Sequence, residues 1–316
     1  MSLPIPITVI GGALGAGKTT LVNHVLRANR GRRLAVLVND FGDLDIDAEL
    51  IESAGSQTIS LRNGCICCSL GGGLTEALQV LRRLPTPPDQ ILVEASGVSL
   101  PRRIVGAAGG PGLRLDGTLV VVDAAAVRKQ VADRYVGDTV GEQLESADLL
   151  VINKVDEVDP AQQEAIRNFI SERAPGVPAV EAVRGAVPLE VILGPLQTPA
   201  SPAGHVDGAG PAHTELDTQS FESTEPLDRG VLNDWLNALP PGVLRVKGVA
   251  ELTGDGPAAC TVQVVGTRIR VTPRVTGPTR SGARLVAIGA PGSLGDDVFA
   301  RLRGGDPSVL VRPLDV

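Results

Sequence analysis

Aromatic side chains are nearly missing from this sequence: Phe41, Tyr135, Phe169, Phe221, Trp235 and Phe299 are the whole set in 316 residues. A platform that stacks single-stranded bases needs exposed rings, so that class of nucleic-acid binder is excluded. Lysine is scarce as well, with Lys18, Lys129, Lys154 and Lys247 the only four among 29 basic residues. The net charge of −7 argues the same way, because a phosphate polymer is held by a basic surface. No apolar run approaches the roughly 18 residues of a membrane helix, and no charged leader precedes an apolar stretch at the start. Cysteine is limited to four, three of them within four residues, which does not make a disulfide scaffold. The expectation is a soluble, cytoplasmic protein with reduced thiols, binding neither nucleic acid nor membrane.

What is present is aliphatic. Apolar residues make up 43% of the chain, so the core must be built from Val, Leu, Ile and Ala. The length favours two domains at roughly 100–200 residues each. Continuous apolar runs at 5–10, 34–38, 58–61, 90–93, 118–122, 149–152 and 177–180 read as strands. Helical spacing separates them at 19–28, 70–84, 140–146 and 160–173. Buried strands alternating with helices predict a mostly parallel α/β sheet over residues 1–194. Residues 195–220, rich in Gly, Pro, Ser and Thr, read as a linker. The remainder, 221–316, predicts a smaller α+β domain: a helix at 227–239, strands at 243–252, 260–265, 267–275 and 283–288, and a closing helix at 294–302.

The first strand runs into Gly12-Ala-Leu-Gly15-Ala16-Gly17-Lys18-Thr19, which fits G-x-x-x-x-G-K-[ST] between a strand and a helix. Its glycines let backbone N–H groups curl around phosphates, with the helix N-terminus adding a favourable dipole. Lys18 would reach the β- and γ-phosphates, and the Thr19 hydroxyl would bind Mg²⁺. A later strand ends in Asn153-Lys154-Val155-Asp156. A carboxylate there can accept the N1–H and exocyclic amine hydrogens of guanine, whereas adenine offers neither, so GTP is the expected nucleotide. Asn153 would brace the loop or the base, and the Lys154 stem would lie along the ring. Glu94 and Asp40 each follow a predicted strand on the same phosphate edge, where an acid can hold Mg²⁺ or orient the attacking water. Cys65, Cys67 and Cys68 crowd one loop before a helix. Soft thiolates suit Zn²⁺ and also take Co²⁺; three sulfurs leave a fourth position for Asp40, a His or water.

Together these residues resemble the CobW-like family of P-loop metallochaperone GTPases. Gly12 to Thr20 looks like the family phosphate loop, and Asn63-Gly-Cys-Ile-Cys-Cys68 is similar to its metal motif. Glu94-Ala-Ser-Gly97 and Asn153-Lys-Val-Asp156 look like its γ-phosphate and base motifs. Ser220-Phe-Glu-Ser223 and Leu244-Arg-Val-Lys-Gly248 resemble landmarks of its C-terminal domain. The resemblance implies GTP hydrolysis coupled to delivery of a transition metal, zinc foremost with cobalt as an option, to a client metalloprotein. Lys18 and Glu94 would be catalytic; Gly12, Gly15, Ala16, Gly17, Thr19 and Thr20 would line the phosphates. Asp40 would join the three cysteines on the metal, and Thr19 with Glu94 would hold Mg²⁺. A homodimer is compatible with this reading. Two alternatives stay open: a metal-sensing regulator with the same site, and a small-molecule kinase with a structural metal. The chain departs from the family in having only His205 and His213 between its domains, and Ser69-Leu-Gly-Gly-Gly73 where Arg and an acid are common. Asp40 also stands where Glu is usual. His24 is expected to pack against its neighbours, and Cys260 to be buried and inert.

Overall fold

In the computed structural model, the described residues are 4–29, 31–38, 58–60, 73–97, 99–194, 216–274, 282–303 and 311–313. Two compact units divide the chain, Met1–Leu189 and Glu190–Val316.

The first unit is built on seven strands: β1 (Ile5–Gly11), β2 (Leu34–Val38), β3 (Thr58–Ser60), β4 (Gln90–Glu94), β5 (Leu113–Asp123), β6 (Leu149–Asn153) and β7 (Ala179–Ala182). They pair in the order β3-β2-β4-β1-β5-β6-β7, every pair parallel. Helices α1 (Lys18–Ala28), α2 (Gly73–Arg83), α3 (Pro101–Ala108), α4 (Val127–Ala132), α5 (Gly137–Glu145) and α6 (Pro160–Arg173) connect them. Helix α6 begins at its proline behind a capping box between Asp159 and Gln162. Leu74, Leu78 and Leu81 of α2 and Ile104 of α3 pack with Ile7, Val9, Ile91 and Val93. Leu144 of α5 and Ile166 and Ile170 of α6 pack with Val120, Val122, Leu150 and Ile152. Aliphatic strands covered by helices account for the nearly continuous apolar runs.

Strand β5 is longer than the run at 118–122, because its first half is masked in sequence by Asp116 and Gly117. There its register against β1 shifts, Ile7 pairing with Leu115 and Thr8 with Gly117, and the buried Asp116 accepts from Arg114 at 3.0 Å. Helix α3 begins at Pro101, in a stretch to which the sequence pattern assigns no element.

In the second unit a short helix, α7 (Leu189–Leu193), enters from the boundary. Six strands then pair antiparallel: β8 (Asp217–Ser223), β10 (Val243–Thr253), β11 (Ala259–Val265), β12 (Arg268–Pro273), β13 (Ala283–Gly289) and β14 (Val311–Pro313), in the order β12-β11-β10-β13-β8-β14. The two-residue β9 (Leu227–Asp228) joins β10 in parallel. Helix α8 (Arg229–Asn237) covers the core face, stacking Trp235 on Phe299, which stacks on Phe221, at centroid distances of 5.2 and 5.5 Å. The Trp235 indole donates to Val298 O at 2.8 Å, satisfying its one polar atom. Half the aromatic inventory is therefore spent on this one core.

Three expectations need correction. The helix at 227–239 starts only at Arg229, since Leu227 and Asp228 pair with β10 and Asp228 caps the helix by accepting from Val231 N. The closing helix at 294–302 shrinks to a 3-10 turn, Ala300–Arg303, because Gly295 takes φ 62° and the Asp297 side chain turns back to Phe299 N. Strand β8 begins at Asp217, inside the stretch read as linker. Cys260 is buried in the second core, as expected.

Candidate nucleotide site

The phosphate loop after β1, Glu94 at the end of β4 and Asn153 at the end of β6 all stand at carboxyl ends of strands, and β1 is flanked by β4 and β5. This is the rim at which open parallel sheets bind ligands. Gly12, Gly15 and Gly17 take φ values of 130°, 77° and 102° as the chain wraps from β1 to α1. A side chain at Gly17 would be strained, and its Cβ would fall 2.2 Å from Asn153 Nδ2. Ala16 is buried in the same loop, whereas Thr20 is exposed on the first turn of α1. The Lys18 ammonium, also buried, donates to Ala13 O across the loop at 3.0 Å.

Beneath the loop, the Thr19 hydroxyl donates to Glu94 Oε1 at 2.7 Å. Glu94 is the last residue of β4 and only 2% exposed. A hydroxyl and a carboxylate side by side at a phosphate loop form a hard-oxygen pair of the kind Mg²⁺ takes. Three residues on, Gly97 lies so close to the phosphate loop that a Cβ would stand 2.6 Å from Leu14 N.

The base side is tied to the phosphate side by Asn153. Its Nδ2 donates to Ala16 O at 2.9 Å, and its Oδ1 accepts from Gly185 N at 2.8 Å. Asn153 is thus the brace of three loops rather than a surface turn, and it is 2% exposed. Lys154 adopts the left-handed conformation, φ 63°, and its ammonium meets Asp123 Oδ2 at 2.6 Å. Asp123 in turn accepts from Ala125 N at 2.9 Å through Oδ1. Asp156 sits exposed in the 3-10 turn Val155–Glu157, available to a ligand.

Several contributors were not singled out from sequence. Asp123 ends β5 as Glu94 ends β4, and an acid closing an apolar run was the available signal. The 183–186 turn, which carries Gly185, has no motif of its own. Gln143 reaches Gly97 O and Ser99 O, and only its place beside Leu144 on a buried helix face marks it. His24, read from sequence as a packing residue, brings its Nε2 within 3.0 Å of Val187 O. Asp40, Cys65, Cys67 and Cys68 lie outside the described residues. Among the described residues no cluster of three or more His, Cys, Asp or Glu could hold a metal, and no helix is long and apolar enough to cross a membrane.

Residues 6–181 match the CobW/HypB/UreG nucleotide-binding domain, and residues 216–302 the Cobalamin synthesis protein cobW C-terminal domain. A zinc chaperone CobW from Sinorhizobium sp is 32% identical, over 90% of this chain and 92% of that protein. Another zinc chaperone CobW, from Pseudomonas aeruginosa, is 34% identical over 84% of this chain and 81% of its own. The solved structure of Zn(II)-bound YjiA GTPase from E. coli is 24% identical, with a TM-score of 0.46 over 96% of this chain and 99% of that one. With the nucleotide-binding domain matched over more than half its length and the C-terminal domain following, the chain belongs to the CobW/HypB/UreG family.

Proposed function

We propose that this protein is a Mg²⁺-dependent GTPase that carries a transition metal, zinc foremost and cobalt as an alternative cargo, and hands it to a client metalloprotein. The observation that carries the nucleotide half is the Asn153 brace, which joins the phosphate loop to the base-reading loop in one rigid unit. Asp156 would accept the guanine N1–H and amine hydrogens, and the Lys154 stem, steadied by Asp123, would lie along the ring. Backbone N–H groups around Gly15 and Gly17 would bind phosphate oxygens, and Lys18 would exchange Ala13 O for the β- and γ-phosphates. Thr19 and Glu94 would hold Mg²⁺, which supplies charge neutralisation at the phosphates being separated. Glu94, at the strand end, would also orient the attacking water.

The cargo half rests on chemistry and kinship. Cys65, Cys67 and Cys68, with Asp40 as fourth ligand, offer a soft, incomplete donor set suited to an ion that must be released. The named CobW relatives are zinc chaperones, which supports zinc over cobalt as cargo. The test is a competitive metal titration of the purified protein with a GTP analogue and with GDP, beside a triple Cys→Ser variant. Tighter metal binding with the GTP analogue, lost in the variant, is the expected result. Affinity indifferent to both nucleotide and cysteines would end the proposal.

A further inference from the structure

Gln143 of α5 is a primary amide at 1% exposure, on a helix face otherwise committed to Val140 and Leu144. Its Nε2 donates to Ser99 O at 2.9 Å and to Gly97 O at 3.3 Å, two carbonyls on the segment that leaves Glu94. One residue earlier, Glu142 pairs with Arg102 in the first turn of α3, so α5 grips that segment and the helix behind it at adjacent positions. The segment's other side is pressed on the phosphate loop, where Gly97 leaves no room for a Cβ beside Leu14 N. Gly97 and Ser99 are thus held from α5, and Gly97 is pressed on the phosphate loop from its other side.

The remaining amide atom adds a second argument. Gln143 Oε1 is buried and accepts no hydrogen bond among the described residues. A buried acceptor in that condition is a net cost, so stability alone does not account for an amide here. Holding two carbonyls at once does, because the two N–H donors on Nε2 can serve both.

We infer that Gln143 is a positioning residue for hydrolysis: it fixes the Gly97 and Ser99 carbonyls, and with them Gly97 against the phosphate loop, so that Glu94 meets the γ-phosphate and attacking water in one geometry. This rests on the GTPase reading above. The action proposed for Gln143 is through the Gly97 and Ser99 carbonyls it holds. Loss of its donors should therefore weaken what depends on the γ-phosphate and spare what depends on the base and the remaining phosphates.

The test uses the full chain carrying Gln143→Met, which keeps the length and removes both donors. GTP turnover should fall about tenfold and affinity for a non-hydrolysable GTP analogue should drop, while GDP affinity stays within about twofold. Unchanged turnover and analogue affinity would overturn the inference. So would a GDP affinity that falls in parallel, since that marks a merely structural residue. Should the Met variant not accumulate as folded protein, Gln143→Asn, polar but too short to span both carbonyls, reads the same split. A wild-type chain that hydrolyses no GTP would remove the GTPase reading, and the ratio of analogue to GDP affinity would still decide the role of Gln143.

Discussion

Replacing Asn153 with Ala removes both arms of the brace while leaving every motif glycine in place. The change strips the partner from Gly185 N–H, which is buried, and from Ala16 O, also buried, at 2.8 and 2.9 Å. A buried polar group that loses its partner costs about 1–3 kcal/mol, so the two together cost about 2–6 kcal/mol. For a unit of this size, each kcal/mol moves the melting temperature by roughly 2–4 °C, which predicts a fall of roughly 5–20 °C. Calorimetry or circular dichroism measures that fall, and titration with a fluorescent GDP measures the coupled loss of affinity. Since 1.4 kcal/mol is tenfold in binding, a loss of at least about tenfold is expected. Asn153→Asp separates the arms: it keeps an acceptor for Gly185 N–H but sets a carboxylate oxygen against Ala16 O. It should therefore retain more stability than the Ala variant and still bind GDP poorly. An Ala variant that melts within about 1 °C of the parent and binds GDP equally well would refute the brace.

Three further outcomes are expected. Asp156→Asn exchanges an acceptor for an amide whose N–H can face a carbonyl, so competition assays should show GTP affinity falling and xanthosine triphosphate affinity rising; unchanged GTP preference would remove Asp156 from base recognition. Gly97→Ala, with a Cβ directed at Leu14 N, must push segment and phosphate loop apart, and GTP turnover should drop by at least about tenfold in steady-state assays. Burial alone would raise the Asp89 carboxyl, but hydrogen bonds and charge from Arg33, with Arg32 nearby, hold it below its ordinary value. The pair's contribution is therefore full above the ordinary carboxylate range and lost as pH falls through the lowered value. Asp89→Asn should melt slightly below the parent at neutral pH, with the gap closing in acid and in high salt, while GDP affinity is unchanged.

What could be read in advance follows from how locally each feature is encoded. Strands such as β6 are apolar end to end and stand out, and α6 announces itself by Asp159, Pro160 and Gln162. The start of strand β8 resembles linker in sequence because Asp217 to Ser220 are polar, and pairing with β13 and β14 makes them a strand regardless. The first half of β5 was hidden by Asp116 and Gly117, whose polarity is matched by Arg114 and a shift in register. In the site, Lys18, Thr19, Glu94 and Asn153 were legible because chemistry restricts which residues suit a phosphate loop or a guanine edge. Asp123, Gln143 and Gly185 were not, since each acts on residues 31 to 46 positions away in the chain. Nothing short-range records such distances.

The placement of all these loops at one rim leaves the opposite rim unemployed. There Arg33, at the entrance to β2, donates through its backbone N–H to Asp89, just before β4, at 2.9 Å. Gly31 nearby takes φ 77°, so a side chain there would be strained and the position belongs to glycine. The half-exposed Arg33 side chain makes that corner a port for a fluorophore or an affinity handle. A probe carried at Arg33 would sit at the amino end of β2, at the other end of the strands from the candidate nucleotide loops, and would report on the sheet without obstructing them.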